Sequence, residues 1–204
     1  MQRLAEQFRK PEGLAGRVVS LLMERGNRAA NEWTLSLLGL GDADDVLEIG
    51  FGHGAALALA LERSPGGRVA GVDFSETMVR QASRRHAAAI AAGRVRLYLG
   101  DLGSLPESES FGRIFAVNVL YFFPDAAAFA QALHARLKPG GRVALFIRPE
   151  AELRRMRFPA TGGVFRFFAP AEVEALLLGA GFQRAWSETR IVSGGQGHCI
   201  LAER

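Results

Sequence analysis

The run Val46-Leu47-Glu48-Ile49-Gly50-Phe51-Gly52-His53-Gly54 constrains this chain more than any other. A short apolar stretch over 45–50 reads as a buried strand. Glycines then fall at every second position, and an apolar-periodic helix follows over 55–63, closed by Ser64-Pro65-Gly66-Gly67. Glycine permits a tight turn and lets backbone approach a ligand closely. The N-terminus of the following helix offers N–H groups without intrahelical partners. A dinucleotide-binding turn spaces its glycines G-x-G-x-x-G; here the spacing is G-x-G-x-G, with Glu48 two residues before the first glycine. A carboxylate there is a poor neighbour for a pyrophosphate and suits a ligand with an ammonium group and no phosphate.

The same alternation continues. Strands are predicted over 68–74, 95–101, 113–118 and 142–147, and helices over 75–92, 126–137 and 170–178. Ser75 is placed to cap its helix, with Glu76 in the first turn, and Gly93 to end it. Two final strands, over 182–190 and 198–202, have only Ser193-Gly194-Gly195 and short flanks between them, which predicts an antiparallel edge pair. The expected fold is α/β: a Rossmann-like, seven-stranded, mostly parallel sheet with helices on both faces. Residues 1–40 hold no strand pattern and read as a helical cap, with helices over 14–25 and after Asn27, packed as one unit with a domain over 41–204. Open sheets of this kind bind ligands at the carboxyl ends of their strands, near the switch point. Functional residues are therefore expected at 48–54, 73–74, 101–102 and 118–121.

These residues resemble the class I S-adenosylmethionine-dependent methyltransferases, in the group with small-molecule acceptors. The resemblance runs in order from Asp42 to Phe146, and more loosely into the tail through 180–182. It implies that Glu48, Gly50, Phe51, Gly52 and Gly54 form the cofactor turn. Asp73, 19 residues after Gly54, would accept from the ribose hydroxyls, with Phe74 and Met78 beside it. Asp101-Leu102 matches the adenine-binding step. Asn118 and Val119 belong to the fourth-strand motif over 115–125, and 137–146 matches the family's turn into strand five. One departure stands out: the aspartate usual after the aromatic residue at the start of that fourth-strand motif is Gly112 here. That aspartate is mainly structural in the family, so cofactor binding is expected to survive its loss.

Composition narrows the acceptor. The formal charge is +4 and the pI near 10.0, which would suit nucleic acid or anionic lipid. Yet 23 basic residues are arginines and only Lys10 and Lys138 are lysines, a bias shared with abundant alanine and expected of a GC-rich coding sequence. Asn118-Val119-Leu120-Tyr121 lacks the Pro-Pro-aromatic that holds a flipped base. The single Cys199 lies in the last strand, where packing is its expected role. No nucleic-acid partner is expected, nor a membrane: the N-terminus lacks the apolar core of a signal peptide, and no stretch is long and apolar enough to span a bilayer. One cysteine fits a reducing cytoplasm. A homodimer is left open. No metal is expected, since His, Asp and Glu lack ligand spacing.

The acceptor pocket is expected between the N-terminal helices and the segment 148–169. In that segment Arg148, Arg154, Arg155, Arg157 and Arg166 lie among Phe158, Phe165, Phe167 and Phe168, either as a lid hinged at Gly162-Gly163 or as a solvated arginine face with the phenylalanines in the core. Arg9-Lys10-Pro11 would either fray or stand near its entrance, and Asn31 and Trp33 would either pack their helix on the domain or cover the methionine end of the cofactor. Methyl transfer draws much of its rate from alignment and desolvation. If a base is required, the candidates are Tyr121, His53, His86, His134 and His198; Tyr121 is the catalytic candidate carried forward, while His86 and His134 are expected on solvated helix faces. Two other readings stay open here: a nicotinamide-dependent oxidoreductase and a non-catalytic S-adenosylmethionine-binding protein.

Overall fold

The computed structural model of this protein describes residues 27–155 and 166–204. Seven strands form one sheet: β1 (Asp45–Ile49), β2 (Arg68–Asp73), β3 (Val95–Leu99), β4 (Phe111–Val117), β5 (Leu137–Ile147), β6 (Arg184–Val192) and β7 (Gly195–Glu203). Their spatial order is β3-β2-β1-β4-β5-β7-β6. The five strands from β3 to β5 are mutually parallel, and β7 enters antiparallel between β5 and β6. The order reverses between β1 and β4, so the switch point falls there.

The helices are α1 over 27–38, α2 (Ala55–Arg63), α3 (Glu76–Arg85), α4 (Ala87–Ala91), α5 (Ala126–Arg136), α6 (Glu150–Arg155) and α7 (Pro170–Gly179). Because side chains alternate along a strand, the sheet has two apolar faces. On one, Val46, Val69, Phe115, Ala144 and Phe146 meet α1 through Trp33, Leu35 and Leu38, and α2 through Ala56, Leu57 and Ala60. On the other, Leu47, Val72, Ile114 and Leu145 meet α5 through Phe129 and Leu133, and α7 through Val173 and Leu177. The edge of Trp33 meets the Phe146 ring with centroids 6.1 Å apart, which fastens α1 to β5.

The structure departs from the sequence reading in four places. The helix expected over 75–92 breaks at His86, whose backbone leaves helical geometry between α3 and α4. β5 begins at Leu137, because its first residue pairs with Phe111 across a register shift before Arg113; the Lys138–Gly141 segment therefore lies inside the strand. β6 and β7 extend to a two-residue turn at Ser193-Gly194, and both turn residues have positive φ. Glu150–Arg155 forms a short helix where only a lid segment was expected. The helix expected over 14–25, Arg9-Lys10-Pro11, and Arg157, Phe158, Gly162-Gly163 and Phe165 lie outside the described residues.

Candidate functional site

The glycine turn rises from the carboxyl end of β1 and is held on three sides. A Cβ on Gly50 would stand 2.5 Å from Val119 Cγ2, so the ends of the two switch-point strands touch there. A Cβ on Gly71 of β2 would stand 2.5 Å from Phe51 Cδ1, so the Phe51 ring lies where β2 has no side chain. A Cβ on Gly54 would meet His86 Nε2 at 2.8 Å and Ala82 Cβ at 3.2 Å, which sets the turn against α3. Gly52 differs: its φ is +55°, and nothing lies within 4 Å of the position a Cβ would take. It is the open side of the turn.

The turn spends its amides inside the protein. Gly50 N–H donates to Val72 O at 2.8 Å, Gly52 N–H to Asp73 Oδ2 at 2.9 Å and Gly54 N–H to Phe51 O at 2.9 Å. Cradled phosphates are held by such N–H groups, and here those of the three glycines are already occupied. The geometry agrees with the carboxylate at Glu48 in pointing away from a phosphate-bearing ligand.

Two acids stand beneath the turn. Glu48 lies in the ladder between Gly71 of β2 and Phe115 of β4. It is 4% exposed, and its Oε2 has no hydrogen-bond partner among the described residues. Burial, and secondarily the nearby Asp73, pushes its carboxyl up to about 8. A buried, unpartnered carboxyl oxygen is costly unless a donor reaches it, and an ammonium group supplies that donor together with a compensating charge. Asp73 ends β2, 8% exposed. Besides Gly52, it accepts from Ser75 N–H at 2.8 Å. Burial raises its carboxyl too, against those two backbone hydrogen bonds that lower it. Ser75 caps α3 as expected, its Oγ accepting from Met78 N–H at 3.4 Å. Met78 is buried and Phe74 half-buried.

Asp101 follows β3 and caps a single 3₁₀ turn, accepting from Gly103 N–H at 2.9 Å with its side chain exposed; Leu102 beside it is buried. After β4, Asn118 adopts φ +58°, and its Nδ2 donates to Asn27 Oδ1 of α1 at 2.9 Å. Val119 packs against Gly50 as described. Tyr121, the catalytic candidate, is 1% exposed. Its hydroxyl accepts from Arg148 N–H and lies 3.3 Å from Asn118 Oδ1. Burial raises the phenol above its ordinary value, the wrong direction for a base. The structure thus places Tyr121 in the wall that joins β4 to β5, not at an open surface.

Among the histidines, His53 Nδ1 lies 3.1 Å from Arg85 NH1. His86, expected on a solvated face, is 6% exposed. The signal was present: Met78, Ala82 and His86 are spaced i, i+4, i+8 and share the inner face of the helix. His134 meets the Phe182 ring edge-on at 5.2 Å, and His198 Nδ1 lies 2.8 Å from Thr189 Oγ1. Cys199 is buried, its thiol pushed up to about 12 by burial. Arg148 is 3% exposed and reaches Val192 O at 3.3 Å. Sequence reasoning set Arg148 in the lid, but it closes the β6–β7 turn onto β5. A cavity of about 310 Å³ lies at the opposite, amino ends of the strands, lined by Asp45, Arg68, Arg96, Glu109, Phe111 and Lys138, and is separate from the turn. Among the described residues no group of His, Cys, Asp or Glu is placed to hold a metal, and no helix is long and apolar enough to cross a membrane.

A glycine turn and two buried acids thus stand together at the switch point of a Rossmann-like sheet. Residues 46–141 match the methyltransferase domain family. An uncharacterised methyltransferase of Bacillus subtilis, YdaC, is 31% identical over 133 residues, which are 65% of this chain and 71% of that protein. The trans-aconitate 2-methyltransferase of an Azoarcus species is 36% identical over 118 residues, 58% of this chain but 44% of that enzyme. Among solved structures, a Haloferax volcanii methyltransferase in complex with a methyltransferase activator superposes with a TM-score of 0.74 at 18% identity, over 90% of this chain and 92% of that one. The chain belongs to the class I S-adenosylmethionine-dependent methyltransferases, and its cofactor is S-adenosylmethionine. Nothing in these likenesses favours an oxidoreductase.

Proposed function

We propose that this enzyme methylates a small-molecule acceptor, with the cofactor held over the glycine turn by Glu48, Asp73 and Asp101. The observation that carries this reading is the buried Glu48 Oε2 without a hydrogen-bond partner among the described residues, next to a turn that is open at Gly52. The cofactor, when bound, supplies a methyl group on a positively charged sulfur. Glu48 meets the amino-acid ammonium. Asp73 keeps free lone pairs on both carboxyl oxygens, beyond the Ser75 and Gly52 amides, to accept from ribose hydroxyls. Asp101 and Leu102 flank the adenine, Phe74 and Met78 line the same side, and Asn118 and Val119 form the wall facing the methionine end. Alignment and exclusion of water carry the rate. Tyr121 shapes this wall without taking a proton.

A small acceptor is supported by the missing base-flipping signature after β4 and by the small-molecule acceptor of the trans-aconitate 2-methyltransferase relative. The test is calorimetry with S-adenosylhomocysteine, with NADH as control, followed by labelled methyl transfer to panels of small carboxylates, alcohols and amines beside RNA, DNA and protein. One-to-one binding of S-adenosylhomocysteine alone, with label entering a small molecule, is expected. Label entering only a macromolecule overturns the acceptor class; a folded sample that fails to bind S-adenosylhomocysteine overturns the site.

A further inference from the structure

His86 is a buried polar side chain that the proposed chemistry leaves unused. It sits where the expected long helix breaks into α3 and α4. His86 N–H still donates to Ala82 O at 2.9 Å, and Ile90 N–H to His86 O at 2.9 Å, so helical bonding continues on both sides of the break. Its ring reaches back to the glycine turn, with Nε2 2.7 Å from Gly54 O. A carbonyl oxygen only accepts, so the proton of this bond belongs to His86 Nε2. The preceding residue reaches the same turn, since Arg85 NH1 lies 3.1 Å from His53 Nδ1.

Gly54 is the residue this contact controls. It is the N-cap of α2, has φ 85° and ψ 24°, and receives no side-chain cap. An N-cap residue normally brings an oxygen to the first turn of its helix; glycine has none, and its left-handed conformation is set only by what holds its backbone. Its N–H is fixed on Phe51 O, and its carbonyl, which as N-cap also serves the first turn of α2, is fixed on His86. These bonds close both ends of the turn around Gly52, whose own N–H is fixed on Asp73.

We propose that His86 is a positioning residue for the cofactor, clamping Gly54 so that the Gly50–Gly54 turn is preformed in its binding conformation. The clamp rests on the cofactor site proposed above. Without the Nε2–H bond, Gly54 keeps its bonds to Phe51 and to α2 but loses the hydrogen bond that ties it to the end of α3, and the turn is held less tightly. Ordering the turn then falls to the binding step, where it lowers apparent affinity without removing any ligand contact.

The test has two independent parts. Long-range proton–nitrogen spectra of the wild-type histidine side chains report the tautomer. A protonated Nε2 on His86, persisting when S-adenosylhomocysteine is added, is expected; a ring protonated only at Nδ1 overturns the clamp whether or not the ligand binds. The second part is calorimetry with S-adenosylhomocysteine on folded H86Q and H86F. Gln offers an N–H at a similar reach, so H86Q is expected to bind within about threefold of wild type and H86F about tenfold or more weakly. Equal affinity of H86F and wild type, or an equal loss in both variants, overturns the proposal. Failure of the wild-type protein to bind S-adenosylhomocysteine overturns the cofactor site instead, and leaves the tautomer to decide the Gly54 contact.

Discussion

Glu48 and Asp73 stand on one face of the β1–β2 ladder, two positions apart in register, and both carboxyl groups are buried. The neighbour in register with Glu48 is Gly71, whose missing side chain leaves room on that face for the Phe51 ring. Burial, and secondarily the neighbouring Asp73, disfavours ionisation of Glu48, while Asp73 is raised by burial against its two backbone hydrogen bonds. In the ligand-free protein Glu48 stays neutral up to about 8. Its folded value is raised above the unfolded one. Its contribution to stability is therefore fully present below the ordinary carboxylate range and is lost as pH rises to about 8, by up to about 1.4 kcal/mol per pH unit. E48Q has no such proton, so its stability is expected to overtake that of wild type across this window, measured by denaturant unfolding from pH 5 to 8. Parallel curves would mean an ordinary carboxyl. Binding an ammonium ionises Glu48, so calorimetry at pH 7 in buffers of different ionisation enthalpy is expected to show proton release on S-adenosylhomocysteine binding in wild type and less in E48Q.

Asp73 serves two masters, since its carboxylate accepts from Gly52 and Ser75 and is also the proposed ribose acceptor. D73A is expected to weaken S-adenosylhomocysteine binding by roughly 1.5–3 kcal/mol, the worth of hydrogen bonds to a charged group. It is also expected to lower the melting temperature, because two amide donors lose their acceptor. Unchanged affinity by calorimetry removes Asp73 from the site.

The glycines of the turn separate by what surrounds them. G52A enters open space and bears only the strain of a positive φ, roughly 1 kcal/mol. It is expected to fold and to lose cofactor affinity because its methyl occupies the ligand side. G50A meets Val119 at 2.5 Å and is expected to lose stability first. Normal affinity in folded G52V, with its larger side chain, would refute the assignment of the turn.

The parallel sheet, its switch point, the glycine turn and the strand-end acids were legible because each is a local pattern: short apolar runs, glycines at fixed spacing, an acid after a strand. The break at His86 was not, because the run from Glu76 to Ala92 gives no local reason to stop; at the break the His86 ring meets Gly54, 32 residues away in sequence. The same holds for Tyr121. A tyrosine after β4 reads as a mouth residue by position, but the backbone N–H of Arg148, on another strand's end, draws its hydroxyl inward. Nor does spacing reveal that the turn glycines donate to Val72, Asp73 and Phe51, which needs the three-dimensional arrangement of β1 and β2.

Arg154 and Arg155 test the boundary between the cofactor and acceptor sides. Arg154 pairs with Glu150 at 2.5 Å and lies over Phe167, while Arg155 reaches Gly194 O at 3.0 Å. Neither contacts the glycine turn. Changing both to Ala removes largely exposed ion pairs worth little stability, roughly 0–1 kcal/mol each. Affinity for S-adenosylhomocysteine is expected to stay within about threefold of wild type, well under the tenfold that 1.4 kcal/mol represents. A large loss would tie this segment to the cofactor.

Tyr121 separates a structural hydroxyl from a catalytic one. In Y121F the ring still fills its buried place among the apolar residues between β4 and α5. The Arg148 N–H loses its acceptor, and a buried donor left without a partner costs about 1–3 kcal/mol. A fall in melting temperature is therefore expected. Once an acceptor is identified, kcat measured well below that temperature is expected to change little and to keep the wild-type pH profile, because a phenol raised by burial is not the group that takes the proton. A loss of kcat of about a hundredfold or more, on the scale of general-base removal, with an altered alkaline limb and an unchanged melting temperature, would return Tyr121 to a catalytic role.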